Sequence, residues 1–272
     1  MITFFKLIFL FIFFIYIFYG CTLYFFQENI IFYPVPYNKE EIAYIEKIDP
    51  RFRFKKINID KEILTYWEHK TTSDIVILYF GGNAENTVYT IMELKEHPQI
   101  LQHNWFLLNY PGYNGSSGKP SEKTFYQSSE WLYQEIQKEF NNKKMILMGR
   151  SIGSGVASYL ATKVKCDKLI LITPFDSIEN VAKKFYPIYP TSILLKHKFP
   201  SYKYIQNVKI PILILAAEYD EVIPKDSTEN LLKFIKNPEF LNYYIIPNTG
   251  HNTISDHPLY WEYLDNFIKK SF

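Results

Sequence analysis

Cysteine is scarce in this sequence: Cys21 and Cys166 are the two in 272 residues. At that number and separation they supply neither a disulfide framework nor a metal-ligand set, which excludes a stapled mini-domain and a zinc module. Glycine is low as well, at ten residues, and this excludes a collagen-like chain or a flexible linker array. Neither sign of charge is in marked excess, since 30 Lys and Arg against 28 Asp and Glu leave a formal net charge of +2. With no dominant basic cluster, nucleic acid is not expected as a partner. No G-x-G-x-x-G follows an apolar run and no Lys-Ser/Thr pair follows a glycine-rich loop, so a nucleotide-binding loop is not expected either. What is present is 47% hydrophobic and 18% aromatic, too apolar for general disorder, and the apolar residues are unevenly spread.

The first concentration runs from Leu7 to Phe26, LIFLFIFFIYIFYGCTLYFF, without one charged side chain. As a helix this stretch rises about 30 Å, the thickness of a bilayer's hydrocarbon core. Its apolar residues surround the helix axis instead of forming a stripe, so packing on one protein face does not account for them. Residues 1–26 therefore read as an N-terminal transmembrane anchor, and residues 27–272 as a single further domain. Cleavage is the competing fate of such a segment. Lys6 would serve as the charged start of a signal peptide and Gly20-Cys21 as its small-residue site, which also resembles a lipoprotein signal carrying a lipid on Cys21. Phe18 and Tyr19 are bulky where those patterns use smaller residues. Lys6 precedes the span and no Lys or Arg follows before Lys39. The positive-inside rule then expects a cytoplasmic N-terminus and a catalytic domain outside the cytoplasm, in the periplasm if the cell is bacterial.

Beyond the Pro-broken stretch NIIFYPVPYN, residues 51–59 and 62–69 alternate polar and apolar side chains, as an antiparallel hairpin does. Short continuous apolar runs follow at 74–80, 104–110, 143–149, 168–173, 210–216 and 242–247. Runs apolar on both faces are expected of parallel strands covered by helices. Between them, residues 86–97, 121–140, 152–163, 225–236 and 258–270 carry helical spacing. Ser121, with Glu122 and Thr124 after it, makes a helix start, and Asp256 before His257-Pro258 reads as an N-cap with proline in the first turn. The alternation predicts an α/β fold with a mainly parallel, twisted sheet and helices on both faces. It breaks once, between Pro174 and Ile210, where about 35 residues rich in Pro and Tyr intervene. An insertion there, about 176–208, would form a small helical lid over the carboxyl ends of the strands, where ligands bind in such sheets.

The sharpest local signal is Gly149-Arg150-Ser151-Ile152-Gly153, directly after one apolar run and directly before a helical stretch. A serine on a tight strand-to-helix turn presents its hydroxyl at the sheet edge, and the strained backbone needs near-absent side chains two residues before and after it. A serine nucleophile needs a base, and the base needs a carboxylate to fix its tautomer. In this topology the three occur in the order serine, acid, histidine. Of six histidines only His197, His251 and His257 follow Ser151. His251 lies just past the last apolar run. His257 reads as a helix-start residue, and His197 in Lys196-His197-Lys198 as part of a solvated basic face. For the acid, the loop after the 210–216 run offers Glu218, Asp220 and Glu221; Asp220 is the first choice, with Glu221 and then Glu218 behind it. An oxyanion hole would use the backbone N–H of Ile152 and, from the loop Phe80-Gly81-Gly82-Asn83-Ala84, that of Asn83.

These motifs resemble the α/β-hydrolase serine hydrolases. Tyr79 to Ala84, Asn109-Tyr110-Pro111-Gly112-Tyr113 through Glu122, Tyr186-Pro187 through Leu194-Leu195, Phe199-Pro200-Ser201 and Asp220 with Ile223-Pro224 are similar to that family's membrane-anchored branch. The branch includes bacterial proteins of unassigned substrate and eukaryotic protein depalmitoylases, and an N-terminal hydrophobic anchor recurs in it. The family often carries histidine before Gly-Asn in the oxyanion loop; here that position is Gly81. The resemblance covers nearly all of 27–272. It implies a Ser151–His251–Asp220 hydrolase needing no metal or organic cofactor, acting on a small-molecule or lipid-like acyl substrate or on an acylated protein. A serine peptidase or amidase of the same fold, and a catalytically silent binding module, are the alternatives.

Overall fold

The structure is a computed structural model that describes residues 2–59 and 62–270. The outermost residues of the expected anchor and domain, Met1, Ser271 and Phe272, lie outside the described residues. The chain opens with helix α1 (Ile2–Ile31), unbroken at residue 26 where the anchor was expected to end. A second helix, α2 (Lys39–Ile48), follows the Pro-broken stretch, in residues for which the sequence pattern predicts no element; Asn38 starts it by accepting from the N–H groups of Glu40 and Glu41.

Eight strands then form one sheet: β1 (Phe52–Ile59), β2 (Glu62–His69), β3 (Ile75–Phe80), β4 (Asn104–Asn109), β5 (Lys144–Arg150), β6 (Lys168–Ile172), β7 (Ile212–Ala217) and β8 (Leu241–Ile246). Their spatial order is β1-β2-β4-β3-β5-β6-β7-β8. The expected hairpin is β1–β2, β2 pairs antiparallel with β4, and every other neighbour is parallel.

The intervening helices are α3 (Thr87–Lys95), α4 (Pro98–Leu101), α5 (Glu122–Phe140), α6 (Ile152–Leu160), α7 (Ile178–Phe185), α8 (Thr191–Leu194), α9 (Ser201–Ile205), α10 (Lys225–Leu232) and α11 (Pro258–Lys269). Period-two alternation in the strands divides them between two cores. Val76, Leu78 and Phe80 of β3 join Phe125 and Leu132 of α5 and Val156 of α6 on one face. Ile77 and Tyr79 join Ile91 of α3 and Leu264 and Phe267 of α11 on the other. Both faces are thus covered, which is why these strands read as continuous apolar runs. Each fully buried aliphatic or aromatic side chain contributes about 1.5–3 kcal/mol.

Polar groups close the ends of this frame. Ser121 starts α5 as expected, accepting from Thr124 N–H. At α11 the expected cap is corrected: His257, not Asp256, accepts from Leu259 N–H, because Asp256 is held in a preceding 3-10 turn. Lys168 is fully buried, and its ammonium donates to the carbonyls of Phe267, Ile268 and Lys270 at the end of α11. Burial pulls its pKa down to about 8.

The insertion between β6 and β7 holds α7, α8 and α9. α9 returns to the core, burying Ser201 and Ile205, whereas α7 and α8 bury no residue of their own. They overhang the carboxyl edge of the sheet, where β5, β7 and β8 deliver Ser151, Asp220 and His251.

Candidate active site

Ser151 sits between β5 and α6 at φ 51°, ψ −121°, a conformation that a side-chain-bearing residue rarely adopts. It is pinned by its own N–H to Ile172 O (2.9 Å) and by its carbonyl, which accepts from Ser154 N–H and Ser154 Oγ. The flanking glycines answer to close backbone approach. A Cβ at Gly149 would lie 2.1 Å from Gly153 O, and one at Gly153 would lie 2.0 Å from Phe80 O. The sequence motif therefore has a steric cause: α6 leaves the sheet so tightly that it passes over β3 and β5 without room for a methyl group.

The Ser151 hydroxyl lies 2.9 Å from His251 Nε2, and both residues are buried. On the other side of the ring, Nδ1 is 3.0 and 2.9 Å from the two Asp220 carboxylate oxygens. A carboxylate accepts only, so the Nδ1 proton points to Asp220 and Nε2 is left with a lone pair for the serine hydroxyl. Asp220 is itself oriented by the N–H groups of Val222 (3.0 Å) and Ile223 (2.6 Å). The other two acids of that loop have different work. Glu221 accepts from His251 N–H at 2.9 Å, and Glu218 accepts from Asn248 N–H at 2.8 Å, so both fasten the histidine loop from below.

The remaining histidines are elsewhere. His97 stacks on Trp261. His69 and His103 are buried, and desolvation lowers the pKa of each. His197 departs from the solvated face expected of it: Nδ1 accepts from Glu122 N–H (3.3 Å) and the ring sits edge-on to Phe32.

The loop after β3 brings Asn83 to the same place as Ser151 and Ile152; all three line one cavity. The Asn83 side chain anchors the loop: Oδ1 accepts from Tyr33 N–H (2.9 Å) and Tyr113 OH (2.8 Å), and Nδ2 donates to Ile31 O (2.7 Å). As the first residue of a helix, Ile152 has no intrahelical acceptor for its N–H.

Two residues that sequence reasoning missed shape this region. Glu85 accepts from Gly82 N–H (2.6 Å), Tyr79 OH (2.7 Å) and Thr90 Oγ1 (2.7 Å). Its carboxylate also occupies the space beside Gly81, where an added Cβ would meet Glu85 Oε1 at 3.0 Å. The loop without its histidine is thus braced by a carboxylate four residues on. Arg150, inside the serine motif, donates to the carbonyls of His251 (3.4 Å) and Asn252 (3.3 Å). Burial opposes its charge, but the nearby Glu85 and Glu93 carboxylates outweigh that and raise its pKa. One guanidinium therefore links the serine turn to the histidine loop. Neither role had a local signal, since an acid after a turn and an Arg between Gly and Ser look like surface residues.

The cavity over Ser151 has a volume of about 340 Å³. Its walls come from α1 (Leu23, Ile30), α7 (Val181, Phe185) and the segment after it (Tyr189, Leu194). Among the described residues, no group of three or more His, Cys, Asp or Glu side chains is placed to hold a metal ion.

A family model for the alpha/beta hydrolase fold matches residues 75–196, and one for PhoPQ-activated pathogenicity-related protein matches residues 190–271. The alpha/beta hydrolase domain-containing protein 17C of Homo sapiens is 32% identical over 203 residues, covering 72% of this chain and 59% of that protein.

The chain belongs to the α/β-hydrolase superfamily.

An uncharacterized protein of Mycobacterium tuberculosis is also 32% identical, over 69% of this chain and 66% of its own length. The chain thus spans somewhat less than two thirds of these two relatives. An uncharacterized membrane protein of Saccharomyces cerevisiae is 27% identical over 92% of both chains. Among solved structures, an α/β hydrolase from Vibrio vulnificus superposes with a TM-score of 0.69 over 86% of each chain at 18% identity, a likeness of fold. Like the yeast relative's description, α1 points to the membrane, with a segment Phe4–Ile31 long and apolar enough to cross it.

Proposed function

We propose that this α/β hydrolase is a membrane-anchored serine hydrolase that cleaves ester or thioester bonds of apolar acyl groups. The observation that carries this reading is the continuous Ser151–His251–Asp220 hydrogen-bond chain opening into an apolar cavity. Ser151 Oγ forms a bond to the acyl carbonyl carbon while His251 Nε2 takes the hydroxyl proton. The carbonyl π pair moves onto oxygen, and the backbone N–H groups of Asn83 and Ile152 receive it, an arrangement worth roughly 3–4 kcal/mol per lost donor in comparable sites. His251 then returns the proton to the departing alcohol or thiol, leaving an acyl ester on Ser151. Water, deprotonated by His251, releases the acid. Asp220 stays ionised throughout and holds the imidazole in the required tautomer. The flanking charges of α1 favour a cytoplasmic N-terminus.

Wall chemistry favours acyl esters over peptides: among the described residues, none that lines the cavity over Ser151 offers a charge to a peptide side chain. A series of p-nitrophenyl esters from acetate to octanoate, run beside aminoacyl p-nitroanilides, tests this. Each methylene buried contributes about 0.8 kcal/mol, so kcat/KM is expected to rise by up to about fourfold per added carbon until the cavity is full. A flat series together with preferred cleavage of charged amides would sink the acyl-ester reading and favour the amidase.

A further inference from the structure

The lid and the apolar helix are not separate objects. The Tyr16 ring stacks on Tyr189 with centroids 4.7 Å apart and planes 6° from parallel. Tyr16 OH donates to Ile188 O and Tyr189 OH donates to Tyr16 O, each at 3.0 Å. The Tyr189 ring comes so near Gly20 that an added Cβ would lie 2.9 Å from it. Further along, Gln27 Nε2 donates to Leu194 O (3.1 Å), and Gln27 Oε1 accepts from Lys196 N–H (2.7 Å). The contact therefore runs from Tyr16 to Gln27, along the second half of the charge-free stretch between Lys6 and Glu28. Ten residues of helix separate Tyr16 from Phe26, about 15 Å of rise. Placing that stretch in hydrocarbon carries the lid in beside it.

The lid's surface suits that position. Residues 185–195, FYPIYPTSILL, carry no charge, and Phe185, Ile188 and Ile193 are 58%, 69% and 78% exposed. Such exposure on a water-facing loop would be a liability, whereas in a leaflet it is burial. Lys183 and Lys184 stand at one root of this segment and Lys196 and Lys198 at the other, the level at which basic side chains meet phosphate headgroups. Irregular backbone at membrane depth needs its polar groups satisfied. Here the carbonyls of Ile188, Ser192 and Leu194 accept from Tyr16, Lys198 and Gln27. The cavity over Ser151 is walled by the same two elements.

We propose that residues 185–195 form a bilayer-embedded lid and that the cavity takes its acyl chain sideways from the surrounding leaflet. The embedding rests on the helix–lid contact, the exposed apolar face of the lid and the membrane anchor proposed above; the acyl entry rests in addition on the serine-hydrolase reading. The occupant of the exposed face is lipid hydrocarbon, and the substrate class is a membrane-resident acyl ester or thioester.

The test uses the full chain in vesicles of phosphatidylcholine with a minor share of phosphatidylglycerol. In a Cys21→Ser background, spin labels at Ile188→Cys, Ile193→Cys and, as a control on the exposed face of α3, Tyr89→Cys are read for collision with oxygen and with a water-soluble nickel chelate. Oxygen is expected to dominate at 188 and 193 and the chelate at 89; chelate dominance at all three overturns the embedding. Separately, Ile188→Asp with Ile193→Asp is expected to slow hydrolysis of p-nitrophenyl palmitate dispersed in the vesicles by at least about tenfold. Hydrolysis of soluble p-nitrophenyl butyrate should stay within about twofold, since neither residue lines the cavity. An equal change relative to wild type on both substrates overturns sideways entry. If the wild type hydrolyses neither ester, acyl entry falls with the serine-hydrolase reading, and the spin labels still decide the embedding.

Discussion

Replacing Ser151 by alanine is expected to lower kcat/KM for ester hydrolysis by about 10⁴-fold or more, and His251→Ala by a similar factor. The reason is the relay across 2.9 Å from Oγ to Nε2, with Asp220 fixing the far side of the ring. Without the imidazole, the hydroxyl must lose its proton to water; without the hydroxyl, the imidazole has nothing to activate. The double variant should be no slower than either single one, because the residues act as a unit. Both side chains are buried without packing a core cluster, so the variants should fold, with unchanged far-ultraviolet circular dichroism. Loss of rate in a folded protein separates chemistry from stability. Additive losses would mean that the two residues act independently.

The largest effect on stability is expected at Gly153. An alanine Cβ there would lie 2.0 Å from Phe80 O and 2.6 Å from Gly81 O, both backbone atoms of the central strand β3 and the loop after it. No side-chain rotation relieves such a contact, so either α6 lifts from the sheet or β3 shifts. Gly153→Ala is therefore expected to cost more than about 4 kcal/mol, at the edge of what a domain of this size tolerates. Gly155, one half-turn along the same helix, is the control. The nearest atoms to its Cβ would be side-chain atoms of Phe175, Phe199 and Ser201, at 3.2 Å or more. There the helix-propensity gain of about 1 kcal/mol for alanine offsets a small rearrangement. Chemical denaturation of the two variants should differ accordingly; equal midpoints would contradict the steric account of the motif.

The contrast between those glycines shows which features the sequence can carry. Gly149 and Gly153 were readable because a backbone collision leaves glycine as the sole option, and the strand before and helix after them were readable from their periods. The triad order narrowed the base to three histidines, and its place just past the last apolar run singled out His251; Asp220 was preferred for its place in the loop after the 210–216 run, since three carboxylates in four positions look alike until the turn orients them. Features built from contacts distant in sequence left no such mark. Glu85 bracing Gly82, and Arg150 holding the carbonyls of His251 and Asn252, depend on loops that meet only after the sheet assembles. α2 was missed because its apolar face is short, with Ile45 its one buried residue. The stacking of Tyr189 on Tyr16 crosses 173 positions of sequence, so the anchor and the lid read as two segments with no reason to touch. His197 read as solvated because its neighbours Lys196 and Lys198 are charged, while its ring turns inward toward Phe32.

The most direct measurement of the central claim is covalent capture of the nucleophile. Purified full-length protein in detergent or vesicles is treated with a fluorophosphonate probe, digested, and the modified peptide located by mass spectrometry. The account predicts one adduct, on Ser151, with labelling abolished in Ser151→Ala and strongly slowed in His251→Ala, because only an activated serine displaces the fluoride. Labelling of Ser151→Ala at the wild-type rate, or no labelling of a folded wild-type protein, would contradict it.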